Sequence, residues 1–171
     1  QMMRRMRLIT EFFVVLYETC PRTLHQFRNQ RQGGRKGTLL RAMATTLPAM
    51  GSRLLAQWLM RPLARIPEIQ TRQAAVAHLL LDLEARESLR ALLKGVHDLE
   101  RLVGRTALGR AAPHDLGRLR DTLILLPQFA QVLETPELPS LLVILQELFS
   151  GHDALEQRLK LTLAAELPPK Q

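Results

Sequence analysis

Only one cysteine, Cys20, occurs in the 171 residues, so no internal disulfide can form and no cysteine-based metal site can be built. A reducing compartment is the simple expectation, and the cytoplasm the expected location. Aromatic residues make up 4% of the chain, whereas leucine and alanine dominate its apolar set. Strands favour β-branched and aromatic residues, and Leu and Ala are strong helix formers, so the scarcity of aromatics argues for an all-α domain. No apolar run approaches the roughly 18 residues that a membrane span requires, and no membrane partner is expected. Arg4 to Cys20 is loosely like a signal peptide, with Phe12-Phe13-Val14-Val15-Leu16 after basic residues. Glu11 interrupts that stretch, and no small-x-small cleavage site follows.

Lysine and arginine exceed aspartate and glutamate by 24 to 16, a formal charge of +8. The excess is local. Residues 1–41 carry nine basic and two acidic side chains, leaving 15 against 14 for the rest. The N-terminal stretch is thus a basic arm and the body is nearly neutral, which does not support phosphate gripping by the body. Within the arm, Arg31, Arg35 and Lys36 are candidate phosphate contacts, and Phe12, Phe13, Tyr17 and Phe27 could stack on bases if exposed. Those aromatics are clustered and flanked by Val and Leu, so packing as core is the favoured reading.

Residues 1–32 do not resolve into elements: Leu8 to Leu16 fits a strand or a helix, and Pro21 ends either. Three glycines at 33, 34 and 37 make a flexible basic joint. Beyond it the helical signals are strong. Thr38 can cap a short helix through Met43, and a second, with Pro48 in its first turn, should run to about Met60 before Pro62. Leu54, Leu55, Trp58 and Leu59 share one stripe. A third helix begins near Pro67, with a seam of Ile69, Gln73, Val76, Leu80 and Leu83. A fourth spans about Glu84 to Lys94, capped by Gly95. Val96, Leu99, Val103 and Thr106 mark a fifth. Pro113 opens a sixth, striped by Leu116, Leu119, Leu123 and Leu126 and ended by Pro127. Leu141, Leu142, Leu145 and Leu148 form another, broken by Gly151. Asp153 caps a last helix bearing Leu155, Leu159 and Leu163, and Pro168-Pro169 closes the chain. Seven or eight helices with short connections are expected, and no fixed-period repeat appears.

No catalytic constellation stands out. Gly33 to Thr38 echoes the composition of a phosphate loop but not its spacing. His25, His78, His97, His114 and His152 include no pair at the i, i+4 spacing of a helical zinc site, and His97 and His114 read as solvent-facing. Asp98 and Glu100 sit near a helix start, where negative charge complements the macrodipole, and Arg101 is placed to pair with Asp98. Cys20 has only Arg22 and His25 as local helpers, too few for an activated thiolate. No catalytic, cofactor-binding or metal-binding residue is assigned, and an independent enzyme is the least expected class.

The run GGRKGTLLRAMATTLPAMGSRLLAQWLMRPL, residues 33 to 63, resembles the opening of the core, or lever, domain of MutS-type DNA mismatch-repair proteins. Gly33, Gly34, Gly37, Thr38, Leu39, Leu40, Thr46, Met50, Gly51, Arg53, Leu55, Trp58, Leu59, Pro62 and Leu63 carry the match. Gly95-Val96-His97-Asp98-Leu99-Glu100-Arg101 and Arg110-Ala111-Ala112-Pro113-His114-Asp115-Leu116 are similar to two further family elements, in order and at fitting intervals. Two departures are Ala44 and Pro48, where the family usually has Asp and Thr, which removes a polar contact and a cap. Gly51 would let another backbone approach, and Arg53 would suit a carboxylate.

The resemblance implies a multi-helix, bundle-like lever domain over residues 33–171, preceded by a poorly matching basic segment at 1–32. It implies a full-length parent that binds mismatched DNA, couples this to ATP and Mg, works as a homodimer and recruits a MutL-type partner. The mismatch reader, the clamp and the ATPase do not occur in this sequence. The expectation is therefore either an excised fragment or the product of a truncated gene. The rival readings are a stand-alone helical interaction module and a non-specific basic nucleic-acid binder.

Overall fold

A computed structural model describes residues 38–43 and 45–163 of the chain. Residues 1–37 of the basic arm, with Arg31, Arg35, Lys36 and Gly37, and Pro168-Pro169 lie outside the described residues. Within them the fold is all-α: α1 (Leu39–Met43), α2 (Ala49–Met60), α3 (Ile66–Leu81), α4 (Leu83–Leu93), α5 (Leu99–Ala107), α6 (Pro113–Val132), α7 (Ser140–Leu148) and α8 (Asp153–Thr162). The chain divides into two compact units, Gln1–Arg72 and Gln73–Gln171, with the border inside α3.

In the first unit, the carbonyl of the buried Thr38 accepts the Ala42 N–H at 3.1 Å and starts α1. Pro48 is the N-cap residue of α2 and supplies no side-chain cap, so that helix begins on backbone contacts such as Gly51 N–H to the Pro48 carbonyl at 3.0 Å. The expected stripe is split: Leu54 and Trp58 are exposed, whereas Leu55 and Leu59 are half-buried.

The second unit holds two apolar clusters that share α6. Leu102 of α5, Leu119 and Leu123 of α6 and Leu159 of α8 form one, flanked by Leu99, Leu116, Leu126 and Leu163. Ala75 of α3, Leu133 at the end of α6 and Leu142 of α7 form the other, flanked by Leu79, Leu89 and Phe149 among others. Phe129 is buried between these levels and meets Phe149 with ring centroids 5.4 Å apart.

That sharing explains the largest departure from expectation. Pro127 does not end α6; the helix continues through it to Val132. Proline in a helix interior forfeits one N–H and crowds the preceding turn, at a cost of about 3 kcal/mol. Leu133 reaches its cluster, and Phe129 its buried place against Phe149, only if the helix continues, and burying two such side chains returns roughly 3–6 kcal/mol. Pro127 itself stays on the outer side, exposed.

Other boundaries and faces shift for similar reasons. The third and fourth helices meet at Asp82, whose carboxylate accepts the Ala85 N–H at 2.9 Å and caps α4. The seam expected on α3 faces outward: Val76 and Leu80 are each 67% exposed, and Ala75 with Leu79 faces the core. Alanine on the inner face lets neighbours approach, and α3 is apolar on both sides, so periodicity alone could not choose. On α5 the buried residue is Leu102, not Val103. Leu142 is the buried residue of α7, and Leu145 and Leu148 are exposed. On α8, Leu159 is buried while Leu155 is exposed; His152, not Asp153, occupies the cap position.

Candidate functional site

The residues singled out by motif gather at the joints that lead into and out of α5, and both joints are fastened to α6. At the first, α4 ends in a turn through Gly95. A Cβ on Gly95 would lie 2.9 Å from Leu125 Cδ1, so the bare backbone lets α6 come close. Gly95 does not adopt positive φ, so close approach rather than a left-handed cap explains it. Two residues on, the His97 N–H donates to Thr122 Oγ1 at 3.2 Å, and that hydroxyl donates to the Arg118 carbonyl at 2.9 Å. Thr122 is fully buried, and its hydroxyl is satisfied both as donor and as acceptor. Asp98 then caps α5, its carboxylate accepting the Arg101 N–H at 3.3 Å. The contact expected between Asp98 and Arg101 is thus made through the main chain. Glu100 and Arg101 project on the exposed side of the first turn.

At the second joint, α5 ends at Ala107 and Gly109 turns the chain with φ of 66°, a left-handed conformation that few other residues tolerate. Pro113 occupies the first position of α6, as expected, where its missing N–H removes nothing. Asp115 is 3% exposed. Its Oδ2 accepts the Ala112 N–H at 2.9 Å and meets Arg105 Nη2 at 3.1 Å. The same Arg105 nitrogen donates to the Arg110 carbonyl at 3.3 Å, so one guanidinium ties the loop to the first turn of α6. His114 Nδ1 lies 3.7 Å from Asp115 Oδ1 and is buried without a hydrogen-bond partner among the described residues. His97 and His114 are half-buried rather than solvent-facing.

The motif residues of the first unit form a separate group. Met50, Arg53, Pro62 and Leu63 are half-buried. Among the described residues no second backbone is the near neighbour of Gly51: the nearest atoms to a Cβ there would be side-chain carbons of Thr46 and Pro48, at 3.5 and 3.6 Å. Those are ordinary contacts with the turn just before α2. Trp58 lies 3.8 Å beneath the Arg72 guanidinium, measured from ring centroid to carbon, a cation–π stack that pairs α2 with α3.

Arg105, Thr122 and Gly109 were not found by sequence reasoning. Arg105 precedes Asp115 by ten positions, a spacing with no helical meaning until the Gly109 turn folds one helix onto the next. Thr122, a lone hydroxyl between Asp121 and Leu123 of α6, was the one available signal. Among the described residues no group of three or more His, Cys, Asp or Glu side chains could hold a metal ion, and no helix is long and apolar enough to cross a membrane.

Among the described residues, these motifs cap, clamp and turn helices, and the domain they build is helical. The comparisons with known proteins give that class a family. A family model described as MutS domain III matches residues 20–171, and the chain belongs to that family. The chain is 40% identical over 159 residues to the DNA mismatch repair protein MutS of Synechococcus elongatus, covering 93% of this chain and 18% of that protein. It is 47% identical over 122 residues to MutS of Symbiobacterium thermophilum, covering 71% and 14% respectively. MutS of Methanothrix thermoacetophila is 40% identical over 125 residues, 73% of this chain and 15% of that protein. The chain therefore spans less than a fifth of the length of these relatives.

Proposed function

We propose that the chain serves as the helical core of a DNA mismatch-repair protein, a strut between the part that binds mismatched DNA and the part that uses ATP. One observation carries this reading: two of the family's motif elements fold as joints that fasten α4, α5 and α6 together, rather than as a reactive or ligand-binding site. Such an element transmits force through packed helices and fixed turns, and it needs no chemistry of its own. DNA, ATP with Mg, a second subunit and a MutL-type protein are then partners of the whole protein, which acts in the cytoplasm.

The test has two arms. The pure chain should turn over no ATP, and hydrolysis by it would overturn the reading. Substituted for the matching segment of a MutS relative, it should preserve ATP turnover that responds to a mismatch. A chimera that folds and hydrolyses ATP but ignores mismatched DNA would show that this segment does not transmit.

A second reading, an interaction module that docks a partner through exposed leucines, is favoured by the outward-facing Val76, Leu80, Leu81 and Leu83 around the α3–α4 corner.

A further inference from the structure

The corner between α2 and α3 carries a recess of about 610 Å³, lined by Ala56, Gln57, Trp58, Met60, Arg61 and Arg72. Its chemistry is one-sided. No acidic side chain lines it among the described residues, and residues 38–72 contain five arginines against one glutamate. That glutamate, Glu68, is engaged by Arg65 at 3.6 Å. Arg61 is exposed at the end of α2, and Arg72 covers a face of the Trp58 ring. Trp58 is nevertheless 40% exposed, and Met60 beside it 41%.

Tryptophan, arginine and methionine are the residue types enriched at the centres of protein interfaces, where an apolar floor excludes water around a charged contact. We propose that this recess is a docking site for an acidic segment of another protein, one that places a carboxylate between Arg61 and Arg72 and an adjacent aliphatic side chain against Trp58 and Met60. Two guanidinium groups favour a carboxylate, which each can hold through paired N–H donors. A nucleic-acid strand fits less well. Arg72 already occupies a ring face on which a base would stack, and Trp58 is the one aromatic side chain in the recess lining.

Trp58 is the only tryptophan in the chain, so its fluorescence reads this recess directly. The 171-residue chain would be titrated with a short peptide of alternating leucine and glutamate, with its leucine–lysine counterpart, and with a single-stranded oligothymidylate. The acidic peptide should give a saturable change in Trp58 emission. Arg61→Ala should weaken that binding about tenfold, the loss of one charge-assisted contact. Arg61→Lys should recover part of it, and Arg61→Glu should shift preference to the lysine peptide. Far-ultraviolet circular dichroism of each variant verifies that the helices remain, and Arg61→Lys keeps the charge should Arg61→Ala fail to fold. A stronger response to oligothymidylate would make the recess a nucleic-acid site, and no saturable response to any probe would mean that it docks none of these. Either result overturns the proposal.

Discussion

Asp115 combines near-complete burial with two polar contacts on a single oxygen, the Ala112 N–H and the Arg105 guanidinium. Replacing it with alanine leaves the Ala112 N–H without its acceptor at the start of α6, and Arg105 without its carboxylate though still beside the Arg110 carbonyl. Breaking a fully buried pair costs about 3–5 kcal/mol, but Arg105 keeps 40% of its side-chain surface and can turn to water. We therefore expect Asp115→Ala to lower stability by about 2 kcal/mol, read from the denaturant midpoint, with Asp115→Asn costing less because its amide oxygen still accepts. Thr122→Val makes a cleaner test because shape is retained. The hydroxyl is lost and the half-buried His97 N–H is left without it, so a loss of about 1–2 kcal/mol is expected, whereas Thr122→Ser should stay near the parent. A Thr122→Val variant as stable as the parent would show that the joint does not depend on this hydroxyl.

Glycines show how far an element's packing can be anticipated. Gly104 lies inside α5, and a methyl group added there would have nothing within 4 Å, so Gly104→Ala should stabilise by about 0.5–1 kcal/mol through helix propensity alone. Gly95→Ala should go the other way. Its Cβ would meet Leu125 Cδ1 at 2.9 Å, and the leucine end must shift, for about 1 kcal/mol by thermal melting. Pairing Gly95→Ala with Leu125→Ala should remove the steric part of that cost. The sequence distinguishes these two positions poorly: both are glycines among helical residues, and only the fold shows which one faces a neighbour. The number, order and approximate span of the helices were legible, because Pro113, Gly151 and the leucine spacings act locally. Faces were less so. Val76 and Leu80 look inward on a heptad count, yet Ala75 and Leu79 face the core, since α3 is apolar on both sides and tertiary packing decides. Pro127 misled for the same reason, as a local breaker overruled by contacts on either side. At the joints, Asp98, Pro113 and Asp115 were visible as motif positions, but the Arg105 and Thr122 contacts depend on residues brought together only by folding.

For the molecule as a whole, family membership and helical architecture agree, and the surface of the second unit carries an apolar corner. Leu80, Leu81 and Leu83 stand at 67, 87 and 57% exposure around one corner, the kind of apolar patch that seeks cover. Sedimentation of the pure chain should accordingly show association that grows with concentration, and Leu80→Lys with Leu81→Glu should shift it toward monomer. A monomer at every concentration would remove the interaction-module reading and leave the strut. The two apolar clusters of the second unit have a different kind of consequence, because both are built on α6, a 20-residue helix about 30 Å long. That shared helix couples the opening of one cluster to that of the other. Residues 73–163 should therefore melt as one cooperative block, with the amides of α6 exchanging only when the entire block opens, and a disturbance at Leu119 registering in the protection of Leu133.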